Sequence, residues 1–234
     1  MMDMWKTMHP LWEYRLWTDL DVEDVFCGSS LREAFMEAGN PAQKSDIMRL
    51  EILRKFGGLY VDVDFECLKP FDHLHHIYSF FCGVSNVQAF ELNNGLVAAC
   101  PSHPLTEFVC SKVSCPWVEW GAEDVEPAQR VAHLLAKSTF CEVPTMDGGK
   151  GFFLATTGPG FFTRAVMRGL DEARNSSELE SPVGIFPTEF FYPLSNVLRN
   201  LPSAEKVLEA RPSSMAMHHW CRTWWADEEP ATQL

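Results

Sequence analysis

The chain has 234 residues, 46% hydrophobic and 22% charged, a balance that excludes a disordered tail or a collagen-like fibre and suffices for a sizeable core. A formal charge of −13 excludes a chain built to grip a nucleic-acid backbone with a basic face, so the expected partners include no nucleic acid. An anionic substrate would need a metal or a local basic pocket to neutralise it.

No run approaches the roughly 18 apolar residues of a membrane span, the best being residues 77–84, which suits a buried strand. Residues 1–9 lack the basic start and apolar core of a signal peptide. The eight cysteines, at 27, 67, 82, 100, 110, 115, 141 and 221, form no C-x-x-C pair. They read as small core hydrophobes, with room for a disulfide or two.

In chain order, residues 12–17 (WEYRLW) are short and aromatic-rich between Pro10 and Asp19, which predicts a strand. Residues 30–38 predict a helix with Ser29 or Ser30 as N-cap. The clearest helix is 45–56, capped by Ser45 and stopped by Gly57-Gly58. Its apolar residues lie on two faces, so it is expected to be mostly buried. Residues 59–65 (LYVDVDF) alternate as a strand, with Tyr60, Asp62 and Asp64 on one side.

Further strands are expected at 79–84, 96–99 and 184–186, and helices at 104–113, 127–136 and 160–173. Residues 175–181 read as a polar surface loop and 227–234 as a polar tail. Helices interleaved with short buried strands predict an α/β fold with a mainly parallel central sheet flanked by helices.

The chemistry concentrates in Asp62-Val63-Asp64. On one strand face the two acids stand about 6.5–7 Å apart along the chain. Asp is a poor strand former, and two unpaired buried carboxylates repel each other and lose hydration. A divalent cation, Mn²⁺ or Mg²⁺, removes that cost and can bridge the phosphates of a nucleotide. The plain alternative is a strand ending in solvent.

A dehalogenase-type phosphatase wants Thr or Val two residues after the second Asp, where Glu66 stands. An EF-hand counted from Asp62 wants Gly where Cys67 stands.

Asp46 and Arg49 lie one helical turn apart, as a simple ion pair or as part of a ligand site beside the two acids. His218-His219-Trp220 offers an imidazole ligand, with the tryptophans as core or as a sugar-stacking platform. His73, His75 and His76 read as a surface loop without a role. The glycine-rich stretches at 147–151 and 157–160 match no phosphate-binding fingerprint.

Taken together, residues 9–19 (HPLWEYRLWTD), 42–70 (AQKSDIMRLEILRKFGGLYVDVDFECLKP), 94–104, Thr157-Gly158-Pro159, 190–193 and 218–224 resemble, in register, the motifs of glycosyltransferase family 32. The resemblance spans residues 9–225. It implies a GT-A-type nucleotide-sugar-binding fold, a nucleotide-diphosphate hexose donor (GDP-mannose, or a UDP-hexose such as galactose or glucose), and Mn²⁺ or Mg²⁺. It also implies transfer to a glycan or glycolipid hydroxyl with retention of configuration.

By motif position it implies Asp62 and Asp64 as catalytic residues and Asp64, Asp62 and His218 as metal ligands. Asp46, Arg49, Asp62, Asn94 and Trp220 are implied as donor contacts. Residues 1–234 are expected to form one domain lacking the family's first strand, with any membrane association through an anchor outside it. The setting is then the Golgi or secretory lumen in a eukaryote, or the cytoplasm or a membrane surface in a bacterium. A truncated, non-catalytic nucleotide-sugar-binding domain is the alternative.

Overall fold

The structure is a computed structural model that describes residues 1–87, 90–113, 156–176, 182–206 and 209–221. Its frame is helix α4 (Pro41–Phe56). Asn40, in extended backbone, accepts the Gln43 N–H on its side chain at 2.9 Å, and Pro41 fills the first turn, where its missing N–H costs nothing. Gly57, at φ 67°, ends the helix while its N–H returns to the Leu53 carbonyl. The helix therefore starts four residues before the expected Ser45. Asn40-Pro41 is the working cap, and Ser45 is left to face the site.

The central sheet has the order β1 (Gly58–Val61), β4 (Leu92–Ala99), β3 (Phe80–Val84), β5 (Val183–Phe186). An α/β architecture with a central sheet flanked by helices is as expected; a mainly parallel sheet is not. β1–β4 and β3–β4 are antiparallel, and only β3–β5 is parallel among the described strands. Residues 85–91, which join β3 to β4, are too few for the crossover that parallel neighbours require.

Both faces of this sheet are covered. Phe80, Cys82, Leu92, Val97 and Ala99 pack with α2 (Val22–Phe26), α3 (Arg32–Glu37), α4, α6 (Pro104–Lys112) and α7 (Pro159–Ser176). Phe81, Leu96 and Ala98 pack the other way. They meet α1 (Met2–Met8), α5 (Asp72–Ile77), α8 (Thr188–Phe191) and a two-stranded ribbon of β2 (Phe65–Cys67) and β6 (Ala216–His218). Each large apolar side chain removed from water contributes about 1.5–3 kcal/mol, so a one-residue slip would exchange the two cores and is strongly opposed.

Three other expectations need correction. Residues 12–17 form no strand: no neighbouring strand pairs with them, Leu16 is half exposed, and Arg15 stacks over Trp17 while pairing with Asp21. Residues 59–65 are not one strand. β1 stops at Val61, residues 62–64 turn, and Phe65 donates its N–H to the Asp62 carbonyl at 3.1 Å before entering the second sheet. The turn relieves the two acids of a place in a ladder for which they are poorly suited.

The third concerns smaller elements. α3 begins at Arg32, because Ser29 spends its hydroxyl on Leu31 N–H just before it. The run 77–84 is split between the end of α5 and β3, and His73, His75 and His76 lie on α5 rather than in a loop.

Cys67, Cys82 and Cys110 are buried as expected, whereas Cys27, Cys100 and Cys221 are exposed, and all six are free thiols. Cys115, Cys141, the expected helix 127–136, the stretch 147–151, Trp224-Trp225 and the tail 227–234 lie outside the described residues. No helix among the described residues is long and apolar enough to cross a membrane.

Candidate functional site

The turn at residues 62–64 brings two carboxylates to the mouth of the β2–β6 ribbon. The register pairs Phe65 with His218, which sets the imidazole beside the preceding Asp64. His218 Nε2 stands 3.1 Å from Asp64 Oδ1, and the Cys221 N–H donates to Asp64 Oδ2 at 2.8 Å. The His219 N–H holds the Asp64 main-chain oxygen at 3.1 Å. Asp62, Asp64 and His218 thus present one ligand atom each, all within 4.8 Å of one another.

The His218 ring is fixed from both sides. It stacks on Phe65 at 4.5 Å between centroids and meets Trp220 at 4.2 Å. Trp220 adopts φ 56°, rare for a residue with a side chain, and its Nε1–H donates to the Leu194 carbonyl at 2.9 Å. His218 Nδ1 is buried without a hydrogen-bond partner. Burial alone would raise the Asp64 pKa, but the His218 hydrogen bond and charge and the Cys221 N–H outweigh it and hold the carboxyl below its usual value.

On the other side of Asp62 lies Arg49, buried on α4. Its Nε donates to the Ser45 carbonyl and Nη2 to Ser45 Oγ. Nη2 also lies 3.1 Å from Asp46 Oδ1, while Nη1 reaches the Asn94 carbonyl at 2.8 Å and Asp62 Oδ1 at 3.3 Å. Asp46 in turn accepts from Asn94 Nδ2 at 2.9 Å and Thr157 Oγ1 at 3.2 Å. Tyr60, under the guanidinium at 4.8 Å, donates its hydroxyl to Asp62 Oδ1 at 2.9 Å.

Burial acts differently on the acid and the base of the Asp46–Arg49 pair. Burial pushes the Asp46 pKa up to about 6, against the pull of Arg49. For Arg49 burial works toward deprotonation, yet the charges of Asp62, Tyr60 and Asp46 prevail and hold it firmly cationic. Burial likewise raises the Tyr60 pKa, keeping its phenol protonated as a donor to Asp62.

Six of the seven residues expected at the site, Asp46, Arg49, Asp62, Asp64, Asn94 and His218, form one connected assembly with Asp62 as its hinge. The seventh, Trp220, stands behind His218 as a wall. The sequence reading did not assign Ser45, Tyr60 or Thr157 to the site. Tyr60 was within reach of it, since strand alternation already set it on the side of Asp62. The other two depend on contacts that no local pattern announces.

Two carboxylates and an imidazole fit a divalent transition-type cation, and among the described residues they are the one such cluster of His, Cys, Asp or Glu.

Comparison with known proteins bears on the same segment. Residues 1–81 match the family described as glycosyltransferase sugar-binding region containing DXD motif. The chain is 29% identical over 100 residues to the mannosyl phosphorylinositol ceramide synthase CSH1 of Saccharomyces cerevisiae, covering 42% of this chain and 26% of that protein. It is 32% identical over 95 residues to inositol phosphoceramide mannosyltransferase 1 of Schizosaccharomyces pombe, covering 40% of this chain and 29% of that one. The chain thus spans less than a third of the length of these curated relatives.

Among solved structures, the PaToxG glycosyltransferase aligns with 68% of this chain and 43% of its own at 19% identity and a TM-score of 0.34. Asp62 and Asp64 stand as the two acids of the DXD motif inside the matched residues 1–81, so this segment is similar to the glycosyltransferase sugar-binding region that contains that motif.

Proposed function

We propose that the chain carries a metal-dependent, retaining hexosyltransferase centre, which moves a sugar from a nucleotide-diphosphate donor to a hydroxyl of a glycan or glycolipid. The observation that carries this reading is Asp62, which belongs both to the Asp64–His218 cluster and to the Arg49–Asp46 network. A candidate cation site and a buried polar network therefore share one carboxylate. The names of the two fungal relatives favour mannose, hence GDP-mannose over UDP-galactose or UDP-glucose, and a phosphoinositol ceramide as acceptor.

In this reading Asp64, Asp62 and His218 hold the cation, and the imidazole donor favours Mn²⁺ over Mg²⁺. A bound divalent cation neutralises charge on the departing diphosphate. Asp46 and Asn94 offer hydrogen bonds to the donor hexose. Arg49, whose Nε, Nη1 and Nη2 are all engaged with protein oxygens, keeps both acids aimed at it. Trp220 closes the wall beside the imidazole.

The test is donor hydrolysis by the purified chain with GDP-mannose, UDP-galactose and UDP-glucose, with Mn²⁺ and after chelation. Cation-dependent release of the nucleoside diphosphate is expected. Calorimetric binding of GDP or UDP with Mn²⁺, but no turnover of any donor, would make the chain a non-catalytic binding domain instead.

A further inference from the structure

The geometry points to Gly95 as a positioning residue that fixes where the Asp62 carboxylate stands; this rests on the metal site proposed above. The pairing of β3 with β4 jumps from Cys82↔Val97 to Gly83↔Asn93, leaving residues 94–96 of β4 without partners on β3. Such a bulge re-aims the chain locally. Here it turns the Gly95 carbonyl to the start of the acidic turn, where it accepts the Asp62 N–H at 2.8 Å. The same residue therefore holds the main chain of Asp62 and borders its side chain.

Gly95 is not among the glycines with positive φ, so its backbone does not call for glycine. Its space does. A Cβ at this position would lie 2.7 Å from Asp62 Oδ2, 3.0 Å from Asn93 Oδ1 and 3.2 Å from Phe65 Cε2. The two nearest atoms are the tips of side chains that can swing away.

An added methyl group should therefore leave the fold standing while evicting the Asp62 carboxylate from its place. Outside that place Asp62 loses the Tyr60 hydroxyl at 2.9 Å, Arg49 at 3.3 Å and its closeness to Asp64 and His218. Gly95 is thus the empty volume that lets one carboxylate serve both halves of the site.

The experiment compares wild type, Gly95→Ala, Asp62→Ala and the double variant on the full chain. It uses metal-free thermal melts and Mn²⁺ titration followed by electron paramagnetic resonance. Gly95→Ala is expected to fold and to weaken Mn²⁺ binding about tenfold or more, the range seen when a ligand's supporting contacts are lost. In the Asp62→Ala background it is expected to cost clearly less melting temperature than in wild type, because the nearest group it strikes is gone and only Asn93 Oδ1 and Phe65 Cε2 still crowd it. Wild-type Mn²⁺ affinity in Gly95→Ala, or an equal melting penalty in both backgrounds, overturns the proposal.

If wild type binds no Mn²⁺, the metal reading fails by itself. The melts still decide whether Gly95 makes room for Asp62: non-additivity supports it and additivity overturns it. If Gly95→Ala alone does not fold, recovery of the fold in the double variant supports the proposal, and failure to recover overturns it.

Discussion

The Arg49 guanidinium and the main-chain oxygen of Asn94 meet at 2.8 Å, tying helix α4 to the bulged stretch of β4 across 45 residues of sequence. A guanidinium can do this while also facing Asp46 and Asp62, because its donors leave a rigid plane in several directions at once. A lysine ammonium has the charge but not the fan of donors. Arg49→Lys is therefore expected to lose about 1–3 kcal/mol of stability, since buried acceptors are left unpaired. It should also weaken donor binding more than any exposed Arg→Lys change does. Denaturant melts and GDP-mannose titration in Mn²⁺ check both, and wild-type behaviour in the two would reduce Arg49 to an ordinary ion pair.

Asp46 gives a pH prediction with a definite sign. Its folded pKa, about 6, lies above the ordinary carboxylate value of 3.8, so the fold prefers the protonated acid. That preference stabilises the protein fully below the ordinary value and is lost as pH rises through about 6. Asp46→Asn, uncharged throughout, should match wild type near pH 4 and exceed its melting temperature at about pH 7.5. Donor binding should nevertheless fall, because the amide cannot accept at both oxygens from Asn94 and Thr157. Melting curves across this window that show no convergence at low pH would refute the assignment.

Asp64 has the opposite sign. Its carboxyl is held below the ordinary value, so its contribution is present above that value and disappears as pH falls through the folded one. Asp64→Asn is expected to abolish detectable Mn²⁺ binding and to cost roughly 1 kcal/mol at neutral pH, through the weakened bonds to His218 and the Cys221 N–H. The stability difference from wild type should close in acid. Unaltered Mn²⁺ affinity would remove Asp64 from the metal site.

Trp220 separates a wall from a hydrogen-bonding contact. Its indole N–H is already given to the Leu194 carbonyl, so any service to a donor sugar comes from the ring face. Trp220→Phe keeps a ring against His218. It should hold donor affinity within a few fold while losing about 1 kcal/mol of stability with the hydrogen bond. Trp220→Ala should weaken both donor and Mn²⁺ binding by freeing the imidazole. Equal donor affinity in the two variants would deny the ring a part.

How much of this was legible depended on how local the cause was. The end of α4 was readable because Gly57-Gly58 is a backbone signal that needs no partner. The run 12–17 misled because strand propensity means little without a strand to pair with, and among the described residues none pairs with it. The sheet's direction turned on the short link from β3 to β4, which hydropathy does not report. At the site, Asp46, Arg49, Asp62, Asp64 and His218 were singled out by type and spacing and Asn94 by the family resemblance, and the fold brings the six together. The turn that splits residues 59–65 was not recognised, because alternation looked continuous through Asp64. Thr157, 111 residues from Asp46, is a contact only the folded chain reveals.

Asp64 is separated from His218 by 154 residues, and the ribbon that joins them forms only when residues 216–218 return to β2. During translation, then, the aspartates leave the ribosome long before their imidazole partner is even synthesised. Between them lie 154 residues of synthesis during which Asp64 has no imidazole beside it, so the cluster closes as a late event relative to the turn that carries the two acids.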